Sequence, residues 1–385
     1  MRTARRLERI EPFYVMECAK AAREIAATAS RPMLYLNIGE PDFTAAPLVV
    51  EAAERALRDG ATQYTPALGT PELRGRIARW YGTHFGIEVA PERIAVTAGA
   101  SAALQLVTLA LLDEGDEVLL PDPSYPCNRH FVAAAGGRAV LLPTSAAQRF
   151  QLDAAAVEAA WGAKTRGVLL ASPSNPTGTS IAREEMRAIA DAVRARGGFT
   201  IVDEIYLGLS YDAAFGHTAL EHGDDVIVLS SFSKYFGMTG WRLGWLVLPE
   251  SLVPAVEKLA QNLYICASSI AQAAALACFE PASLAEYERR RTAFKARRDF
   301  VVPALERLGL PVPVMPDGAF YAWFDASAKA ASSWDFVFET MRRAQVALTP
   351  GRDFGVAAPE RFVRLSFASD HDTLREAVER LGAVW

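Results

Sequence analysis

The sequence predicts an α/β fold in which a mostly parallel sheet is covered by helices on both faces and followed by a smaller α+β unit. Three observations lead there. Short apolar runs recur at Ile94 to Thr97, Glu117 to Leu120, Ala139 to Leu142, Gly167 to Ala171, Thr200 to Asp203 and Val226 to Leu229. Each has the length of a strand and little alternation, the pattern of strands buried on both faces. Helical patterns fill the intervals, and strand alternating with helix at this spacing implies crossover connections and parallel pairing. Finally, 385 residues exceed what one small core serves, so two domains are expected.

Taken in order, Met1 to Arg9 is basic and helix-like, but Glu11 and Pro12 follow with no apolar stretch before them, so a secretory signal is not expected. The α/β block then runs roughly from Ala46 to Glu280. Ile94 to Leu112 and Leu259 to Phe279 are uncharged and long enough to suggest membrane spans. Both carry Gln, Ser or Asn, and the first holds Gly99, so they read as buried helices of a large core. Ser283 to Leu308 is charged and helical, and Arg289-Arg290-Arg291 reads as the solvated face of a long interdomain helix rather than a basic binding patch. Beyond it, Ala319 to Phe324 and Phe362 to Ala368 read as strands, with a helix around Ser333 to Gln345 between them and another after Asp370, which is an α+β pattern. No internal repeat or low-complexity linker interrupts the chain.

Charge and cysteine usage exclude whole classes of function. A net charge of -5 and a pI near 5.7 supply no basic field for nucleic acid or anionic lipid, so neither nucleic acid nor membrane is an expected partner. Cys18, Cys127, Cys266 and Cys278 are far apart with no CxxC pair, which signals neither a metal site nor a disulfide framework. Reduced thiols in a cytoplasm fit that usage.

The chemistry concentrates in Ser231-Phe232-Ser233-Lys234 and Gly240-Trp241-Arg242-Leu243-Gly244. The preceding run Val226 to Leu229 delivers Lys234 to the carboxyl end of a strand, where α/β enzymes keep their ligands. A lysine amine condenses with a carbonyl when its surroundings lower its proton affinity. Ser231 and Ser233 supply hydroxyls, and Arg242 offers a planar fork for two phosphate oxygens. That set suits an imine to a phosphorylated aldehyde, whereas Lys234 alone would read as a solvated side chain.

Other residues extend the set. Asp203 ends an apolar strand, where it either caps a helix or pairs with a cation such as a protonated pyridine nitrogen. Asn175 lies in Ser172-Pro173-Ser174-Asn175-Pro176-Thr177-Gly178, which is turn chemistry that equally presents a donor to a phenolic oxygen, with Tyr206 as a second. Thr97-Ala98-Gly99-Ala100-Ser101 opens an uncharged helical run whose amides and dipole suit a phosphate. Tyr125 stands just past a strand, placed to stack on a planar ring or to pack in the core. Arg364 interrupts an apolar strand, so an inward guanidinium there needs either a structural carboxylate or the α-carboxylate of a substrate.

Together with Gly39-Glu40-Pro41-Asp42-Phe43, Tyr64-Thr65-Pro66, Gly69 and Pro71-Glu72-Leu73-Arg74, these residues resemble the class I and II aminotransferases of fold type I, in order and spacing, over nearly the whole chain. The resemblance implies a seven-stranded sheet in a large domain over residues 46-282, and a small domain made of both chain ends, 1-45 and 283-385. It implies pyridoxal phosphate as cofactor, held as a Schiff base on Lys234, which also shuttles the proton. Asp203 would hold the pyridine nitrogen, Asn175 and Tyr206 the ring hydroxyl, and Tyr125 would stack. Ala100, Ser101, Ser231, Ser233 and Arg242 would bind phosphate, Tyr64 would reach the neighbouring subunit's phosphate, and Gly39 and Arg364 would place the α-carboxylate. A homodimer with shared sites, an L-amino acid and a 2-oxo acid as substrates, and ping-pong kinetics follow from the same resemblance.

Side-chain preference is less deeply written. Gln261 to Ser269, where dicarboxylate-specific relatives place a second arginine, has none, which leans towards neutral or aromatic donors, although Arg31 or Arg129 would be alternative sources of charge. A carbon-sulfur lyase using the same cofactor is the enzyme alternative. A cofactor-binding regulator is the non-enzyme one, and Met1 to Leu36 is short for a DNA-binding domain and linker.

Overall fold

The computed structural model describes residues 2-12 and 14-385; Met1 of the opening basic stretch lies outside them. A seven-stranded sheet forms the large core. In chain order its strands are β2 (Ile94–Thr97), β3 (Glu117–Asp122), β4 (Arg138–Pro143), β5 (Thr165–Ala171), β6 (Phe199–Asp203), β7 (Ile227–Ser231) and β8 (Gly244–Val247), arranged as β2-β8-β7-β6-β5-β3-β4. Strand β8 is antiparallel to both neighbours and the other pairings are parallel. The α/β architecture with a mostly parallel seven-stranded sheet is therefore present.

Strands β2, β5 and β7 are almost wholly buried on both faces, as their unalternating apolar composition requires. β4 is a correction. It pairs only with β3 and is half-buried rather than fully covered, whereas β2 at the opposite edge, paired only with β8, is fully buried. The missed strand is β8: Trp245 to Val247 follow so directly on the Arg242 motif that the run reads as its tail, yet all four residues of β8 are buried between β2 and β7.

Leu259 to Phe279 is also revised. One helix ends at Leu263, and another spans only Ser269–Ala275. Ile265 takes a left-handed φ of 69° between them, and Leu263 and Ile265 are exposed. Among the described residues no helix is long and apolar enough to cross a membrane.

A second, smaller sheet has the order β11 (Thr349–Pro350), β12 (Phe362–Ser366), β9 (Tyr321–Asp325), all antiparallel. β9 starts at Tyr321, two residues later than expected, because Ala319 adopts φ 57°. Near the amino end, β1 (Leu34–Tyr35) pairs in parallel with β10 (Val346–Ala347). The helix Pro281–Arg307 runs alongside, and its arginine triplet is not uniformly solvated. Arg289 is exposed beside Glu286, whereas buried Arg290 donates to Glu286 and the Thr44 carbonyl, and Arg291 donates to Glu288 and the Ser210 carbonyl.

Candidate active site

One rim of the large sheet carries the site because parallel strands all end there. Ala100 and Ser101 follow β2, Tyr125 follows β3, Asn175 follows β5, Asp203 ends β6, and Lys234 follows β7. Antiparallel β8 begins at that rim instead of ending there, which returns Arg242 to it. Gly244 is in register with both Thr97 and Ser231, so the start of β8 lies between two strand ends. These residues, with Gly39, Tyr206, Ser231, Ser233 and Arg364, line one cavity of ≈ 340 Å³. Tyr64 does not join them; it is 79% exposed.

The cavity carries charges of both signs that the protein leaves without ionic partners. Arg364 is buried and donates to neutral oxygens only: Asn175 Oδ1 at 2.8 Å, the Asn37 carbonyl at 2.6 Å and Thr349 Oγ1 at 3.3 Å. Its Nε has no partner. Arg242 donates to the Thr239 carbonyl at 2.9 Å. Among the described residues no carboxylate forms an ion pair with either guanidinium. The carboxylate explanation for Arg364 therefore fails.

Asp203 presents the opposite sign. Its Oδ1 accepts the Ile205 amide at 3.0 Å, but no cation lies within ion-pair distance among the described residues. The next helical turn starts only at Leu207, so Asp203 is not a helix cap. Burial pushes its carboxyl up to about 7, while the Ile205 amide and the charge of Lys234 pull the other way.

Lys234 Nζ donates to the Gly39 carbonyl at 2.5 Å and lies 5.8 Å from the Tyr206 ring centroid. Burial lowers its ammonium to about 8, with Glu40 opposing and Arg364 and Arg242 reinforcing that shift. Neutral amine is thus accessible near physiological pH. Ser231 Oγ donates to Ser233 Oγ at 2.9 Å and accepts the Ser233 amide at 3.0 Å, so the two hydroxyls form one unit. Burial, with Cys127 beside it, pushes the Tyr125 phenol well above its ordinary pKa, so it stays protonated.

Two glycines keep the cradle open. Gly99 has φ 85°, and a Cβ there would sit 2.7 Å from Arg242 Nη2. At Gly39 a Cβ would meet the Tyr321 hydroxyl at 2.1 Å. Tyr321 is one cavity residue that sequence reasoning missed. Its hydroxyl is 2.7 Å from that of Tyr206, and its ring lies under the Arg364 guanidinium at 4.5 Å. Its position in an ordinary apolar strand, Phe320-Tyr321-Ala322-Trp323, gave no signal beyond a hydroxyl among hydrocarbons. Thr349 and the Asn37 backbone were likewise invisible as partners of Arg364. Arg31 and Arg129, weighed as sources of side-chain specificity, lie outside the cavity lining; Arg31 donates to Gln345 and the Arg343 carbonyl, and Arg129 to Glu11.

Comparison with known proteins gives this geometry a family. The model of the aminotransferase class I and II family matches residues 31–381. The chain is 38% identical over 375 residues to the valine–pyruvate aminotransferase of Mycobacterium tuberculosis, covering 97% of this chain and 96% of that protein. It is 33% identical to the aspartate aminotransferase of Geobacillus stearothermophilus, covering 99% and 98%. The solved structure of Thermus thermophilus aspartate aminotransferase with maleate superposes with a TM-score of 0.94 at 33% identity, covering 100% of both chains. The family uses pyridoxal phosphate. The residues fit that group, since an anion for Arg242, a ring cation for Asp203 and an aldehyde for Lys234 are what the cavity lacks.

Proposed function

The chain belongs to the class I and II aminotransferases, and from that premise we propose that it moves an amino group between an L-amino acid and a 2-oxo acid by a ping-pong cycle centred on Lys234, favouring neutral or aromatic side chains over aspartate. The observation that carries this reading is the set of charges without ionic partners in one cavity, Arg242, Arg364 and Asp203, around an amine of lowered proton affinity. A ligand pair bearing phosphate, ring cation and α-carboxylate would satisfy all of them at once.

Pyridoxal phosphate bound here supplies an aldehyde that takes up the amino group and a ring that accepts the electron pair left when the Cα–H bond breaks. Arg242, the serine pair and the amides opening the helix Ala100–Leu111 hold the phosphate, with Gly99 leaving room for it. Asp203 keeps the ring nitrogen protonated. Asn175 spends its Oδ1 on Arg364, which leaves its amide nitrogen to donate to the ring oxygen beside Tyr206. Arg364, braced by Asn175, Thr349 and the Asn37 carbonyl, grips the α-carboxylate and thereby aims the Cα–H bond. Lys234 Nζ would take that proton and hold it for return, and an ammonium lowered to about 8 would let one amine both accept and give it up near neutral pH. A homodimer with Tyr64 reaching the neighbouring site accounts for the 79% exposure of that ring.

The absence of arginine in Gln261 to Ser269 supports the preference for uncharged donors, as does the name of the valine–pyruvate relative. The test is a single-turnover screen of the purified holoenzyme with each standard amino acid and no 2-oxo acid. Stoichiometric conversion to the pyridoxamine form with one 2-oxo acid per site is expected. Continuous release of pyruvate and ammonia would overturn the reading in favour of a lyase.

A further inference from the structure

The mouth of the cavity is apolar, and most of it comes from a helix the mechanism does not use. Helix α1 (Tyr14–Ala26) contributes Val15, Met16 and Ala19 to the lining, and Ile38 adds the facing side chain from beside Gly39. Val15 and Ala19 are one turn apart and therefore share a face. Met16 is 59% exposed and Ile38 43%, an unusual investment of large apolar side chains at a solvent boundary unless a ligand covers them.

This wall is clasped from behind. Asp353 Oδ1 accepts the Tyr14 amide at 3.0 Å and Oδ2 accepts the Val15 amide at 3.3 Å, so one carboxylate holds two of the amides that open α1. The clasp is itself anchored on the large sheet. Asp122, the last residue of β3, accepts the Val356 and Ala357 amides at 2.9 Å each, and the Ser124 amide donates to the Phe354 carbonyl at 2.9 Å. Gly355 must be glycine for this contact, because a Cβ there would overlap Asp122 Oδ1. Asp353 ends the short turn Gly351–Asp353 that follows β11, whose Thr349 is in register with Arg364. The carboxylate grip and the side-chain wall thus share one support.

We propose that Asp353 is a positioning residue for donor selection: by holding the start of α1 it sets Val15, Met16 and Ala19 as the surface that receives an extended apolar side chain of the amino donor. The inference rests on the function proposed above and deepens it by assigning the substrate class to particular residues. Arg23, two turns beyond Val15 on the same face, also lines the mouth, but it is exposed, and a distal carboxylate pairing with it there would be screened by water. Val15 and Ala19 are buried beside it, and each methylene of a donor covered by this wall favours a longer side chain.

The test compares kcat/KM for alanine, norvaline, leucine and phenylalanine in the holoenzyme, Asp353→Ala, Asp353→Asn and Met16→Ala, alongside amide hydrogen exchange of α1. Asp353→Ala is expected to lower the norvaline-to-alanine ratio roughly tenfold, chiefly through KM, and to speed exchange at Tyr14 and Val15. Asp353→Asn, which keeps one acceptor, restores part of both. Met16→Ala alters an exposed side chain, so it keeps the inference testable if Asp353→Ala fails to fold, and it too should lower the ratio. A ratio unchanged in Met16→Ala and Asp353→Ala, or all donors falling together, would overturn the inference. So would a wild type that prefers aspartate or glutamate and loses that preference in Arg23→Ala. Dissociation constants for norvaline and alanine, taken from the spectral titration of each holoenzyme, give the same ratio without turnover, so failure of the aminotransferase reading remains separable from failure of this one.

Discussion

Arg297 and Arg364 are both buried arginines, yet their surroundings oppose each other. Arg297, on the long helix, forms a two-pronged pair with Asp42 at 2.8 and 2.7 Å and lies over the Phe43 ring at 5.0 Å. Its charge is answered within the chain, and it ties the amino-terminal segment to the helix. Arg364 is slightly more buried, at 3% against 7%, and has neutral partners alone. A scaffold arginine is neutralised at folding; an arginine in the binding role proposed for Arg364 is left for a ligand to neutralise, at a cost in stability to the empty protein.

That contrast can be broken at four places. Lys234→Ala should have the largest effect, lowering turnover at least about 10⁴-fold and removing the visible-edge absorbance of lysine-bound cofactor; full activity in a stopped-flow assay would sink the proposed mechanism. Arg364→Gln should follow, with kcat/KM down roughly 10²-fold and little loss of thermal stability, since no internal ion pair is broken. Calorimetry showing a large loss instead would move Arg364 to the scaffold class.

Asp203→Asn sharpens the comparison through pH. The folded carboxyl titrates at about 7, above the ordinary 3.8, so in the cofactor-free protein its ionisation penalty grows as pH rises from about 4 to about 7 and is complete above that. Cofactor-free Asp203→Asn should therefore be more stable than wild type by on the order of 4 kcal/mol at pH 8, with no difference below about pH 4, while holoenzyme activity falls. Denaturation midpoints that are equal at pH 8 would contradict it. Arg297→Gln should show the smallest effect, a loss of about 1–2 kcal/mol because Asp42 is partly exposed, without any selective rise in the KM for amino donors.

Much of the site was legible because chemistry and strand ends coincide. Lys234, Asp203 and Asn175 each stand just after an apolar run, and a parallel sheet sends all such positions to one rim. What escaped notice depended on pairing across the chain. Tyr321 has an ordinary strand context, and only the fold sets it against Tyr206 and Gly39. Asp353 looks like a loop acid until the start of α1 is placed on it. β8 hid behind the motif that precedes it, and the edge position of β4 follows from strand order, which local composition does not encode.

The insertion of β8 between β2 and β7 bears on how the chain acquires its cofactor. Thr97 and Gly244 are neighbours in the sheet but are separated by more than a third of the chain. The phosphate cradle proposed above joins Gly99 from one side of that gap to Arg242 from the other, so it belongs to the slowest, least local contacts of the large sheet. A nascent chain that ends before Arg242 has the helix dipole but not the guanidinium. Cofactor capture is then a late event of synthesis, and bound cofactor marks a finished sheet.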